Sequence, residues 1–345
     1  MMNHAQLIAT AHAMSAVGKG LLAMDESNAT CNKRFGALGI AQSEDMRRAY
    51  RDLLATAPGL NHSIAGAILC DETIRQLTLA GRPFAHALAD VGIVPGIKVD
   101  AGAVDLAGHP GEKITQGLDG LRERLAQYVQ LGARFAKWRA VIAIDDVLPG
   151  PACIAANAHA LARYAALCQE AGLVPIVEPE VLMDGAHTLA RCGVVTEAVL
   201  GAVFAQLREQ GVLLEGMLLK PNMVLPGLAC AQQDSAGVIA AATVACLRRL
   251  VPAAVPAIAF LSGGQSPELA TQRLNAMHAN GVAPLPWALT FSFARAIQQP
   301  AMAQWGGQPA NVAAAQRALV HRANCNRAAR LGQYTLATEH AGVTQ

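Results

Sequence analysis

Lysine is scarce in this chain, and its placement is selective. Six lysines, at positions 19, 33, 98, 113, 137 and 220, stand beside 21 arginines, so wherever any cation suffices the sequence uses arginine. Arginine cannot replace lysine where chemistry needs a neutral amine, because the guanidinium stays protonated. Lys98, Lys137 and Lys220 each fall where a short apolar run meets polar residues, in VPGIKVD, FAKWRA and MLLKPN. Lys220 has the most apolar approach, through Met217, Leu218 and Leu219. Desolvation lowers a lysine pKa, as does a neighbouring cation such as Lys137 or Arg139, and a neutral amine adds to a carbonyl to form a Schiff base. Lys98 and Lys137 have polar or cationic company and read as charge providers. The plain alternative for Lys220 is a lysine snorkelling from a core strand to the rim.

An iminium on a ketone is an electron sink for breaking an adjacent carbon–carbon bond, and a carboxylate must then remove and return protons. Asp25, Glu178 and Glu180 are the available groups, each interrupting an apolar run, in LLAMDES and VPIVEPE. Side chains alternate along a strand, so Lys137 with Arg139, and Glu178 with Glu180, face one side in pairs. LSGGQS offers Ser262 and two flexible glycines, Gly263 and Gly264, whose backbone N–H groups can approach an anion. FSFARA adds the bidentate cation Arg295.

Eight short apolar runs carry these residues: GLLAMDES, IAGAILCDE, VPGIKVD, FAKWRAVIAI, LVPIVEPE, EGMLLKPN, AIAFLSGG and ALTFSF. Long Ala/Leu/Arg-rich stretches of helical periodicity separate most of them, among them LDGLRERLAQYVQLGA and SAGVIAAATVACLRRL. Eight βα units close an α/β barrel of the (β/α)8 or TIM type, whose active sites lie at the carboxyl ends of the strands, where the charged residues fall here. An open doubly wound sheet competes, but it calls for a GxGxxG turn after its first strand, and the sequence has none. The expected layout is a single barrel over 1–345, with a helical extension at about 1–17 and a short tail at about 335–345.

Composition narrows the function. Hydrophobic residues make up 53% and charged residues 15%, which supplies a sizeable core. A formal charge of +2, no basic run and 4% aromatics argue against nucleic acid as a partner. The first twenty residues lack a secretory pattern, and no stretch of about 18 uncharged apolar residues suggests a membrane span, so a cytoplasmic location is expected. Eight cysteines without a CxxC pair read as reduced thiols, and ten scattered histidines without HxH or HExxH give no metal site.

In order, LAMDES, GRPF, GIKVD, TQGLDGL, FAKWR, VPIVEPE, LLKPNMV, LSGGQS and WALTFSF resemble class I fructose-bisphosphate aldolase, in register from about residue 18 to about 334. The resemblance implies a (β/α)8 barrel, usually a homotetramer, that cleaves fructose 1,6-bisphosphate to dihydroxyacetone phosphate and glyceraldehyde 3-phosphate. It implies no metal or other cofactor. It makes Lys220 the Schiff-base lysine, Glu178 the acid/base of carbinolamine dehydration, and Asp25 the group that takes the C4 hydroxyl proton. Lys137 and Arg139 would polarise substrate and support the carboxylates, and Glu180 would position Lys220. Ser262, Gly263, Gly264 and Arg295, with the N–H of Ala294, match the C1-phosphate site; Ser27, Thr30 and Lys98 match the C6-phosphate side.

Three departures from the family pattern carry expectations. DESNATCNKR places Ala29 and Thr30 where the family has Gly and Ser, which should stiffen a loop over 28–32 and alter the distal phosphate site. Ala294 replaces a common Gly, and a positive φ there would strain the loop. The familiar C-terminal Tyr is missing: the chain stops at AGVTQ, its last Tyr is Tyr334, and protonation of the enamine should suffer. Competing functions are a Schiff-base barrel for a 1-phosphate or seven-carbon ketose, a non-catalytic scaffold or sugar-phosphate sensor, and a zinc-dependent aldolase.

Overall fold

A computed structural model describes residues 3–279 and 284–341. Eight parallel strands close a barrel: β1 (Gly20–Ala23), β2 (Ile64–Leu69), β3 (Val94–Lys98), β4 (Phe135–Ile142), β5 (Val174–Val181), β6 (Leu218–Leu219), β7 (Ala257–Phe260) and β8 (Ala288–Phe293). Each is one of the eight apolar runs of the sequence, and β1 returns to pair with β8 through Leu21 opposite Ser292. Closure leaves the barrel itself without an edge strand.

Alternation divides each strand into an inner and an outer set. Leu21, Ile68, Phe135, Val174, Ile176, Leu218, Ala257 and Ala259 form a separate apolar cluster inside the barrel, while the outer residues join the larger core beneath the helices. Small inner residues make room for one large one. A Cβ at Gly96 would stand 2.2 Å from the Phe135 ring, and one at Gly66 would stand 3.2 Å from it. The expected N-terminal extension is the helix His4–Met14, started by Asn3, whose side chain accepts from Gln6 N at 3.1 Å. Its Leu7, Ala11 and Met14 belong to the inner cluster, so the helix plugs the barrel.

Several expectations are corrected. Residues 28–32 are not a stiffened loop: Asn28–Gly36 is a helix capped by the Ser27 hydroxyl, and Ala29 suits helical backbone better than the glycine it replaces. Ala294 lies at φ −102°, and no described residue other than glycine has a positive φ, so the left-handed backbone that a glycine would favour is not adopted there. Gly102–Asp105 and Lys113–Gln116 form an antiparallel hairpin that the sequence reading did not anticipate. Tyr334 is buried, and its hydroxyl bonds Glu339 of a terminal helix, Leu336–His340. The AGVTQ terminus beyond Ala341 lies outside the described residues.

Among the described residues one helix, Leu189–Glu209, is long and apolar enough to cross a membrane. Its Cys192, Val195, Val199 and Val203 are buried, and it packs on β5 and the helices Pro151–Glu170 and Ala236–Leu250. That is the apolar stripe of an outer barrel helix. All eight cysteines are free.

Candidate active site

Lys220 follows β6 directly. Its N–H donates to Val177 O at 2.8 Å, and Leu261 N–H donates to Pro221 O at 3.2 Å, so the backbone at this lysine is held by both neighbouring strands. Glu178 and Lys137 come from the middles of β5 and β4, and Asp25 comes two residues past β1. Lys220, Glu178, Lys137 and Asp25 are all buried, at 3, 3, 4 and 6% exposure. Burial of four charges is tolerable only if they neutralise one another.

They do so in a line. Lys220 Nζ lies 3.1 Å from Glu178 Oε1. Glu178 Oε2 lies 2.9 Å from Lys137 Nζ, which also lies 2.9 Å from Asp25 Oδ2. Charges thus alternate along the row. Burial by itself pushes the Asp25 carboxyl up, but Lys137, Lys220 and Lys98 outweigh it and hold Asp25 at about 2. Glu178 is likewise pushed up by burial and brought below its ordinary value by Lys137, Lys220 and Arg139. Burial lowers Lys137, yet Asp25 and Glu178 together raise it above the ordinary lysine range. Both carboxylates are therefore ionised at neutral pH, and Lys137 is charged.

The remaining sequence candidates have partners of their own. Glu180 binds Arg139 through its Oε2, and its side chain is 7% exposed against 41% for arginine. Two residues along β5 carry Glu180 from the level of Glu178 to that of the Arg139 guanidinium, its ion-pair partner. Lys98 is bound to Asp100, at 2.6 Å from Oδ1 and 3.0 Å from the main-chain oxygen. Ser27 donates to Thr30 Oγ1 at 3.0 Å, and both are exposed on the loop and helix after β1. Arg295 donates through Nη2 to Gly263 O, which ties the turn after β7 to the helix Arg295–Trp305 after β8. Gly263 has φ +57°, Ser262 is buried beside it, and Ala294 stands at the start of the helix. Backbone N–H groups at a turn of this kind, a helix N-terminus and an arginine make a place for an anion.

Three participants were missed. Asp100 stood in the GIKVD motif but was given no role; it accepts from Gly102 N at 3.1 Å and Arg139 N at 3.2 Å besides holding Lys98. Asn222, in LLKPNMV, accepts from Val181 N at 3.0 Å and so fixes the end of β5. Met183, whose side chain lies beside the Gly263–Gly264 turn, gave no chemical signal at all. Among the described residues the one grouping of possible metal ligands is His321, Cys325 and Glu339, and its carboxylate is already engaged by Arg322 and Tyr334.

Comparison with known proteins agrees with this geometry. Residues 6–345 match the family model described as fructose-bisphosphate aldolase class-I. The chain is 56% identical over 330 residues to a probable fructose-bisphosphate aldolase class 1 of Xanthomonas campestris pv. campestris, covering 95% of this chain and 98% of that protein. It is 52% identical over 330 residues to the cytosolic fructose-bisphosphate aldolase 5 of Arabidopsis thaliana, covering 96% and 92%. The fold superposes on a solved fructose-bisphosphate aldolase from Plasmodium falciparum with a TM-score of 0.94 at 48% identity, covering 96% of this chain and 95% of that one. The chain belongs to the class I fructose-bisphosphate aldolase family, whose lyases work through a lysine Schiff base without a metal.

Proposed function

We propose that Lys220 is the Schiff-base lysine in the reversible cleavage of fructose 1,6-bisphosphate, with Glu178 and Asp25 as its proton carriers. The observation that carries the reading is the buried row Asp25, Lys137, Glu178, Lys220, in which each charge touches the next. A buried row of this kind has a use when protons must move between fixed points without solvent. Glu178 lies close enough to Lys220 Nζ to take its proton, and the neutral amine then adds to the substrate ketone. The same carboxyl returns a proton to the carbinolamine hydroxyl, which leaves as water and gives the iminium. Asp25 accepts the C4 hydroxyl proton; the C3–C4 bond breaks, its electrons pass into the iminium, and glyceraldehyde 3-phosphate departs from an enamine. Protonation of the enamine and hydrolysis release dihydroxyacetone phosphate and restore Lys220.

Lys137 keeps both carboxylates ionised, and Arg139, held by Glu180, adds charge at the rim. Ser262, Gly263, Gly264, Arg295 and the N–H of Ala294 take the C1 phosphate; Lys98, Ser27 and Thr30 serve the C6 phosphate, for which Lys98 must leave Asp100. The enzyme works in the cytoplasm as one barrel domain per subunit, in a homotetramer, without an added cofactor. Light scattering on the eluted protein tests the assembly, with about four times the 35.9 kDa subunit mass expected.

Borohydride reduction in the presence of dihydroxyacetone phosphate, followed by peptide mapping, tests the central assignment. A single adduct on the peptide holding Lys220 is expected, and Lys220→Met should abolish both adduct and turnover. An adduct on Lys137 or Lys98 would refute it. Equal efficiency on fructose 1-phosphate would refute the bisphosphate preference.

A further inference from the structure

Lys98 at the end of β3 stands opposite Lys137 of β4, yet the two neighbours serve different acids. Lys137 Nζ lies 2.9 Å from Asp25 Oδ2, whereas Lys98 Nζ lies 2.6 Å from Asp100 Oδ1 and 3.0 Å from Asp100 O. Among the described residues, nothing donates to Asp25 Oδ1. That open oxygen is the one left to take the C4 hydroxyl proton. Lys98 already acts on Asp25, as one of three lysines that hold its carboxyl down. A second ammonium seated on the open oxygen would block the base.

Asp100 is built to prevent this. Its side chain is 3% exposed, against 22% for Lys98, and the main chain holds it in place. Gly102 N donates to Oδ1 at 3.1 Å and Arg139 N donates to Oδ2 at 3.2 Å. The register between β3 and β4 ends at Lys98 and Lys137, so Asp100 supplies the acceptor that Arg139 N would otherwise lack. With two backbone donors the carboxylate stays partnered when the lysine leaves. Lys98 can thus depart to an anion and return to the same place.

We propose that Asp100 is a positioning residue that keeps Lys98 off the open oxygen of Asp25 and reserves it for the substrate's distal phosphate. This role rests on the assignment of Asp25 to the C4 hydroxyl and of Lys98 to the C6 phosphate.

The test compares kcat and KM on fructose 1-phosphate and fructose 1,6-bisphosphate in Asp100→Asn, Lys98→Met, their double variant and Thr115→Val. Fructose 1-phosphate has no distal phosphate to draw Lys98 away. In Asp100→Asn its kcat should fall about 5- to 30-fold, the factor of one charge-assisted hydrogen bond that the base must first lose. Adding Lys98→Met removes the intruding ammonium and should restore kcat to within about threefold of the native value. Loosening of the fold does not produce such a repair. On the bisphosphate, Asp100→Asn should lose less kcat and raise KM instead, because the phosphate pulls Lys98 off Asp25. Thr115 donates through Oγ1 to Arg139 O at 2.8 Å, so Thr115→Val loosens the same part of β4 without touching Lys98. Its kcat should change by less than about twofold. Asp100→Ser, whose hydroxyl still accepts from a main-chain N–H, decides the matter if the asparagine variant does not fold. Unchanged kcat on fructose 1-phosphate, a loss that Lys98→Met does not repair, or an equal loss in Thr115→Val overturns the inference. A native protein without the Lys220 adduct overturns the proposed function itself; a normal adduct with no repair overturns the role of Asp100 alone.

Discussion

Glu178 presents one carboxylate oxygen to Lys220 at 3.1 Å and turns the other toward Lys137 at 2.9 Å. One carboxylate thus faces the reacting amine while a second cation keeps it charged, which gives it two separable duties. Glu178→Gln keeps the shape and abolishes proton transfer. The expected result is a fall in kcat of about 10² to 10⁴, the range that positioned acid/base groups supply. Single-turnover kinetics should place the loss in iminium formation, with substrate binding little changed. A variant within tenfold of the native rate would remove Glu178 from the proton path.

Asp25 makes a prediction about acid. Its folded value of about 2 lies below its ordinary 3.8, so the ionised form is the one favoured by folding. A depressed carboxylate contributes stability fully above the unfolded value, and that stability is lost as pH falls toward the folded one. The difference is worth about 2 kcal/mol, concentrated between about pH 4 and pH 2. Thermal midpoints measured across that window should fall more steeply for the native protein than for Asp25→Asn. Parallel curves would show that Lys137 does not hold Asp25 in this way.

The barrel was legible because the strands are apolar runs, with Asp25, Lys98 and Lys220 at or just past strand ends, whereas Lys137 and Glu178 interrupt β4 and β5 from within. Alternation along β4 and β5 also told which residues share a face. It did not tell who pairs with whom. Glu178 and Glu180 share a face, yet one meets lysines and the other Arg139, because their heights in the barrel differ and register is a property of the closed sheet. Lys98 looked free for substrate, since nothing in GIKVD says that Asp100 folds back onto it. Ala29 and Ala294 were read as replaced glycines in loops, whereas Ala29 lies in the first turn of a helix and Ala294 at a helix N-cap with a negative φ. The hairpin Gly102–Gln116 was hidden by its polar, glycine-rich sequence, which reads as a loop.

Arg139 and Glu180 supply a coupling test. Removing the arginine leaves a carboxylate with 7% exposure without its cation, and the 41% exposure of Arg139 itself reduces the penalty through solvent screening. Arg139→Ala should cost about 1–3 kcal/mol in chemical denaturation, and Glu180→Gln less. The double variant should fall short of the sum by about 1 kcal/mol, the signature of a direct pair. Additivity would return Glu180 to the role that the family resemblance gave it, acting on Lys220 independently of Arg139.

The layer below the site supplies the last test. Gly96 on β3 lies opposite Phe135 on β4, and a Cβ on the glycine would stand 2.2 Å from the ring. The next inner positions along the same strands are Lys98 and Lys137, so the packing of this pair sets the height and separation of two charged residues. Gly96→Ala forces either the ring or β3 to move, at a cost of about 3 kcal/mol. Phe135→Leu alone leaves a void and should cost about 1–2 kcal/mol. Combined, the smaller side chain makes room for the methyl group, so the double variant should be more stable than Gly96→Ala alone. Activity should follow stability: Gly96→Ala should lose kcat through the displaced Lys137, and Phe135→Leu in the same chain should restore part of it. Stability recovered without any recovery of kcat would mean that the lysines are held from above, by Asp25 and Glu178, and owe nothing to the apolar layer beneath them.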